Sequence, residues 1–351
     1  MLDQNMNGSQ VIDLLTISHF DQDHISGLGY LLSKFRVKTL LLPLVDDLAY
    51  RLFLAFEYSI ATDSEHIEFF INPTEYLLRK YDSRIDNIIL VPPSSSNIKG
   101  DEKVVNPESI ENGNLSFKAI KTERYLNTLI STLSPKGSLL VQDIFQFIPY
   151  NDASLQLALT EKFINAVENQ KDQIFKESGS SLDFKSIIDS IKELYDTEFG
   201  KSAKKRNIIS LFLFASPLNH SSDRIEVSEY RDVIDINRDQ DYLFSPYPKS
   251  KNATLYTGDG YLDKESRLKS LRDYIGEENF KRISCFQVMH HGARSCWYEG
   301  LASDIKPLIS VFSADATRKR PGHPHGEVLR DFLPHSPVLV DKENNLSVKF
   351  Y

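Results

Sequence analysis

Apolar positions along the chain alternate between two periods, one of strands and one of helices. Residues 11–17, Val-Ile-Asp-Leu-Leu-Thr-Ile, form a short β-branched run that predicts a buried strand. Residues 26–34 predict a helix entered through a turn, and residues 37–43 a second strand closed by Pro43. Leu48, Leu52, Ala55 and Phe56 fall on one helical face, predicting a helix over 48–61. A shorter helix over 74–81 and a third strand over 86–91 follow. Strand then helix, repeated, indicates α/β layering and not a helical bundle.

The middle of the chain carries a different pattern. Residues 92–114 read as a Pro- and Ser-rich loop, followed by strands over 115–120 and 138–148. The second of these ends in an aromatic-rich edge, Phe145-Gln146-Phe147-Ile148-Pro149-Tyr150. Leu155, Leu159, Phe163 and Val167 predict an amphipathic helix over 154–178. Phe184, Ile187, Ile188, Ile191 and Leu194 predict another over 182–199, so the pair reads as a helical hairpin between strands. Lys201, Lys204, Lys205 and Arg206 read as a solvated loop.

Strand signals then return with polar punctuation. The apolar strand 207–215 precedes a polar loop over 216–252 that contains His220. Residues 253–256 form a short strand delivering Thr257-Gly258-Asp259-Gly260, with a helix over 264–275 after it. Residues 283–289 deliver His290-His291-Gly292-Ala293. A strand over 308–312 leads to Arg318-Lys319-Arg320-Pro321-Gly322-His323-Pro324-His325 and a helix over 326–332. Residues 337–340 and 346–350 are expected to pair as a hairpin through Glu343-Asn344-Asn345.

Composition narrows the class. The 351 residues are 41% hydrophobic and 26% charged, as in an ordinary globular protein of one large or two small domains. No run of eighteen apolar residues and no signal-peptide pattern occurs, and Cys285 and Cys296 form no disulfide or thiolate-metal framework. A cytoplasmic location without membrane association is expected. The net charge of −8 argues against broad nonspecific binding to nucleic acid, although a bound metal can reverse the potential at a site.

Chemistry concentrates at the strand ends. Ser18-His19-Phe20-Asp21-Gln22-Asp23-His24 packs two His and two Asp onto one strand-to-helix turn. Converging nitrogen and oxygen ligands of this kind suit a divalent metal ion. Six of the nine histidines (19, 24, 290, 291, 323 and 325) lie in such short elements, and Asp259 ends another strand. Ligand sites of open α/β sheets lie at strand ends, so these elements are expected to meet.

Taken together, the motifs HxDxDH, TGD, HHG and GHPH, in that order, resemble those of the metallo-β-lactamase-fold hydrolases. The nearest likeness is the hydrolase domain of bacterial competence (DNA-uptake) channel proteins, whose NxxSL strand is similar to Asn207-Ile208-Ile209-Ser210-Leu211. The likeness covers roughly residues 11–43 and 205–350. It implies an αββα sandwich formed by residues 1–43 and 205–351, with 44–204 a mostly helical family-specific insertion whose hairpin spans about 154–199. It also implies one or two divalent ions, Zn²⁺ or Mn²⁺. His19 and Asp21 would bind one, Asp23 and His24 the second, and Asp259 would bridge or join the second site. One of His290 and His291 would complete it, since adjacent side chains cannot easily both point at one ion. Asp23, His323 and His325 would serve catalysis, the two histidines as substrate-side or proton-donating groups. Arg294 either reaches a phosphate or lies exposed, and Asn207 and Ser210 support their strand.

The implied activity is metal-dependent hydrolysis, with phosphodiesters of DNA or RNA the first substrate class. Small esters or phosphoesters are the alternative, and a noncatalytic subunit of a larger bacterial complex is the third reading. Two departures from the family are visible. Two strands that usually precede the first motif are missing, so the gene product is truncated, a protein partner or second copy supplies strands, or later segments replace them. The family's middle His ligand is also not evident, His66 and His220 being the interior candidates.

Overall fold

A computed structural model describes residues 10–20, 25–58, 64–95, 101–107, 115–152, 154, 158–176, 182–200, 209–218, 225–231, 240–243, 251–315, 317 and 322–350. The fold is mixed α/β, with one sheet of thirteen strands, a second sheet of three, and ten α-helices among the described residues. No described helix is long and apolar enough to cross a membrane.

The first third of the chain forms a parallel unit. Strands β1 (Val11–Thr16), β2 (Arg36–Pro43) and β3 (Ile85–Val91) run parallel in that order. Six helices among the described residues belong to this side: α1 (Leu28–Lys34), α2 (Leu48–Tyr58), α3 (Ser64–Ile71), α4 (Pro73–Tyr81) and, later in the chain, the pair α5 (Glu161–Lys176) and α6 (Leu182–Phe199). Local chemistry sets their starts. Asp47 Oδ1 accepts the Tyr50 N–H at the start of α2, and Asn72 caps α4 with Pro73 in its first turn.

Residues 44–204 add strands as well as helices. Beyond β3 they supply β4 (Lys103–Val105), β5 (Leu115–Tyr125), β6 (Thr128–Leu133), β7 (Leu139–Val141) and β8 (Phe145–Asn151), all in the large sheet. The single strand expected over 138–148 is two strands, because Gln142 and Asp143 turn the chain with φ of 52° and 53°. The aromatic segment is not an edge, since β8 lies between β7 and β9 (Leu211–Pro217). The helix expected from 154 begins at Glu161, where Thr160 Oγ1 accepts the Phe163 N–H.

The remaining strands complete the path. β12 (Ala253–Tyr256), β13 (Ile283–Gln287), β14 (Ile309–Ser313) and β15 (Pro337–Val340) continue from β9, with helices α7 (Glu265–Ile275), α8 (Glu277–Lys281), α9 (Leu301–Ile305) and α10 (Gly326–Phe332) between them. The expected C-terminal hairpin does not form. β15 pairs parallel to β14, while β16 (Asn344–Phe350) pairs with β10 (Ile225–Arg231), which pairs in turn with β11 (Gln240–Leu243). Those two strands occupy a stretch that reads as loop because its polar residues obscure the alternation.

Three apolar clusters follow from the period of two. Leu40, Leu42 and Ile88 face helices α2–α6, among Phe53, Phe70, Phe163 and Phe184. Phe212 and Phe214 of β9 face α7–α10, among Leu271, Phe286, Phe312 and Phe332. The intervening residues Leu41, Ile89, Leu211 and Leu213 meet in a third cluster with Leu115, Phe117, Leu133 and Leu139. β2, β3 and β9 are therefore buried on both faces.

Candidate metal centre

The carboxyl ends of β1, β12 and β13 converge. Past β1 the chain stays sheet-bonded, with Ile17 N–H donating to Leu41 O at 3.0 Å and Leu211 N–H to Ser18 O at 2.7 Å. His19 is fully buried there, and its Nδ1 contacts Ser18 Oγ at 2.9 Å. Its Nε2 faces the Asp259 carboxylate, 4.0 Å from Oδ2.

Asp259 sits on a turn held by close packing. Gly258 has φ of +52°, and a Cβ on it would stand 3.0 Å from Ser18 Cβ. Gly260 lies against the buried Phe212 ring, where a Cβ would come within 1.8 Å of a ring carbon. The Gln287 side chain spans the turn. Its Oε1 accepts the Thr257 N–H at 3.1 Å and the Gly258 N–H at 3.2 Å, while Thr257 Oγ1 donates to the Gln287 carbonyl at 2.7 Å.

β13 then enters an unusual turn. His290 and His291 are both left-handed, with φ of 45° and 58°, and Gly292 follows at 82°. Each such residue with a side chain costs about 1–3 kcal/mol and persists where surrounding contacts hold it. Those contacts are present: His290 N–H donates to Gly258 O, and His325 N–H to Gly292 O, both at 3.0 Å. In extended chain, neighbouring side chains point to opposite faces. Here the left-handed pair brings both rings to Asp259. His290 Nε2 is 3.8 Å from Oδ2 and His291 Nε2 is 3.8 Å from Oδ1. Each ring thus faces a different oxygen of the same carboxylate.

The other two histidines lie beside this group. His323 is 5.9 Å from His290 and 6.3 Å from His291 between ring centroids. Its Nδ1 lies 3.2 Å from His325 Nδ1, so one ring donates and the other accepts. Burial, reinforced by the neighbouring His325, His290 and His291, pulls the His323 imidazolium down to about 4 against the opposing pull of Asp259. Arg294 does not stand free for a phosphate: its guanidinium pairs with Glu327 of α10, and its backbone N–H donates to His325 Nδ1 at 3.3 Å.

The donor types, imidazole nitrogens around a carboxylate, are those a divalent ion takes. His291 Nδ1 is bonded to Ser313 O and His19 Nδ1 to Ser18 Oγ, so in both rings Nε2 is the atom turned to the carboxylate. Hydrogen bonding at the far nitrogen is how metal-binding histidines are oriented. Two ligands on one tetrahedral ion at about 2.1 Å stand about 3.4 Å apart, and the spacings here are a few tenths of an ångström wider. Among the described residues, no three His, Cys, Asp or Glu side chains are arranged to hold one ion. Asp21, Asp23 and His24, expected as ligands, lie outside the described residues, as do His220 and the basic residues 201–206.

Sequence reasoning passed over Gln287, Ser18 and Ser313. Gln287 carried a signal, being the polar last residue of an otherwise buried strand, separated from the His pair by Val288 and Met289. Comparison of the chain with family models, with characterised proteins and with solved structures finds no match.

Proposed function

We propose that this chain is a metal-dependent hydrolase on an αββα sandwich of metallo-β-lactamase type, acting on phosphodiesters such as those of DNA or RNA. The observation that carries the reading is the meeting of His19, His290 and His291, from distant parts of the chain, around the buried Asp259 carboxylate. The layering supports the sandwich. Leu41 and Ile89 share the middle cluster with Leu211 and Leu213, while the opposite faces of their strands meet helices on either side. In this reading β4–β8 take the place of the strands that the family carries ahead of its first motif.

His19, Asp259, His290 and His291 would hold one or two divalent ions, with Asp21, Asp23 and His24 completing the set by resemblance. Bound there, Zn²⁺ or Mn²⁺ supplies Lewis acidity and lowers the pKa of water toward about 7. Asp259 turns Oδ2 to His19 and His290 and Oδ1 to His291, so both of its oxygens would be available to hold an ion beside those rings. His323 and His325 stand on the side of His290 and His291, where a ring N–H can hold a nonbridging oxygen or pass a proton to the leaving oxygen.

The test combines elemental analysis of the purified protein with cleavage of single- and double-stranded DNA in Mn²⁺ or Zn²⁺. The expected result is about one to two ions per chain, with cutting abolished in Asp259→Ala while the far-UV circular dichroism is retained. A metal-free protein, or undiminished cutting by the variant, overturns the proposal. Bound metal without DNA cleavage would redirect it to small esters and phosphoesters.

A further inference from the structure

Residues paired side by side across strands share a face of the sheet. Leu115 of β5 pairs with Val141 of β7, and Val141 with Phe145 of β8, so the three form one apolar row. Phe147, two residues on, extends it, with its ring 5.2 Å from that of Phe145 between centroids. Leu14 of β1 and Thr39 of β2 form a second row. The two rows do not close on each other, and line a cavity of about 280 Å³. It continues the middle apolar cluster, which contains Leu115 and against which Leu14, Val141 and Phe147 pack. Phe145 pairs with Pro217, the last residue of β9, whereas Leu211, the first, bonds to Ser18 beside His19. Six steps of strand span about 20 Å, so the cavity lies toward the other end of the sheet from the metal centre.

Two charged residues also line it, and each answers the other. Lys38 Nζ donates to Asp13 Oδ1 at 2.7 Å, and the Asp13 side chain is largely exposed, which puts the pair at the mouth. Neither charge is left to call for an ion. Packed interiors leave few voids larger than a water molecule, and an apolar cavity of about 150 Å³ takes up benzene. This one is about twice that size and holds a body of about ten non-hydrogen atoms. The two phenylalanine rings, inclined at 55°, offer an aromatic guest both edge and face. We propose that this cavity binds one small, uncharged aromatic molecule of the size of a fused bicycle. Burial of its rings against Leu14, Leu115, Val141 and the two phenylalanines supplies the affinity. The inference is independent of the metal centre, since it requires neither a bound ion nor hydrolysis.

The experiment is calorimetric titration of the full chain with indole, a neutral bicycle, and with benzoate, an anion of equal non-hydrogen atom count. Indole should bind the wild type saturably, with a negative heat-capacity change, and should raise Tm. Val141→Phe, which sets a ring in the cavity, should weaken that binding about tenfold or more while unfolding in plain buffer at the same temperature or higher. Phe147→Leu, which removes an aromatic wall and keeps an apolar residue, should weaken it about two- to tenfold. Lys38→Met should leave indole binding unchanged. No saturable uptake of indole by the wild type, or undiminished binding in the Val141 and Phe147 variants, overturns the assignment. So does benzoate binding that is tighter than indole binding and is lost in Lys38→Met, because the cavity would then serve an anion.

Discussion

Gln287→Met removes the carboxamide that accepts two N–H groups of the Asp259 turn, leaving the Thr257 hydroxyl to tie that turn to the strand preceding the His pair. The two carboxamide bonds, to Thr257 N at 3.1 Å and Gly258 N at 3.2 Å, are lost, and methionine has about the same length and no comparable acceptor. Thr257 is fully buried, so its N–H is left without water. A buried donor stripped of its partner costs about 1–3 kcal/mol. Gly258 and Gln287 are only partly buried, and solvent recovers part of the second bond. The expected destabilisation is therefore about 2–3 kcal/mol, read as a lowered urea midpoint at unchanged m-value. Gln287→Glu keeps an acceptor in place and should recover at least half of the loss. The same change loosens the carboxylate that faces three histidines, so Co²⁺ or Mn²⁺ affinity should fall about 10–100-fold, as for other groups that orient ligands. A Met variant within about 0.5 kcal/mol of the parent would show that other contacts hold the turn and that Gln287 positions nothing.

Two further outcomes follow from the packing. Gly260→Ala drives a Cβ to 1.8 Å from a ring carbon of the buried Phe212 and should cost about 3 kcal/mol or more. Gly326→Ala, with open space at its Cβ, should stay within about 0.5 kcal/mol, both read by urea unfolding. The two cysteines should be inert to a thiol reagent at pH 8 until the chain unfolds, because burial pushes both thiols up to about 12. Their ionisation also sets a sign for alkaline stability. The unfolded thiols lose protons above about 8.5 and the folded ones do not, so stability is fully present below that pH and falls as pH rises toward 12. Alanine at both positions should flatten that decline; an unchanged slope would refute the assignment.

Where local pattern coincided with tertiary demand, the chain was readable. Residues 182–199, 253–256 and 326–332 were bounded correctly because each combines a clean period with a stop signal, and the structure keeps Leu182–Phe199, Ala253–Tyr256 and Gly326–Phe332 as single elements. β6 was missed because Thr128, Ser131 and Thr132 interrupt its apolar residues. The structure buries them, with Thr128 Oγ1 donating to Ile85 O at 2.6 Å. Tertiary hydrogen bonding of that kind leaves no mark in a hydropathy pattern. The partner of a strand is hidden for the same reason. Nothing local distinguishes β15 bonded to β14 from β15 bonded to β16, since the choice is made by a surface assembled from the rest of the sheet.

The candidate site divides along the same line. The residue types and their places at strand ends were legible, because a metal-binding chemistry needs those types and a sheet can offer them there. The orientation of His290 and His291 was not, because it depends on backbone signs that favourable local chemistry would oppose. Two consecutive left-handed histidines store about 2–6 kcal/mol, and nothing in their own sequence returns it. The return comes from elsewhere: Gly258 O receives the His290 N–H, Gly292 O receives the His325 N–H, and the Gln287 carboxamide closes the turn between them. The first and last of these join the His290–His291 turn to the Asp259 turn, and the second joins it to the segment bearing His325. The placement of the His290 and His291 rings at Asp259 is thus held by ties between segments, and a substitution that relaxes any one tie should lower stability and displace that pair. Variants in which the two effects separate would show that the strained pair is supported by contacts other than these.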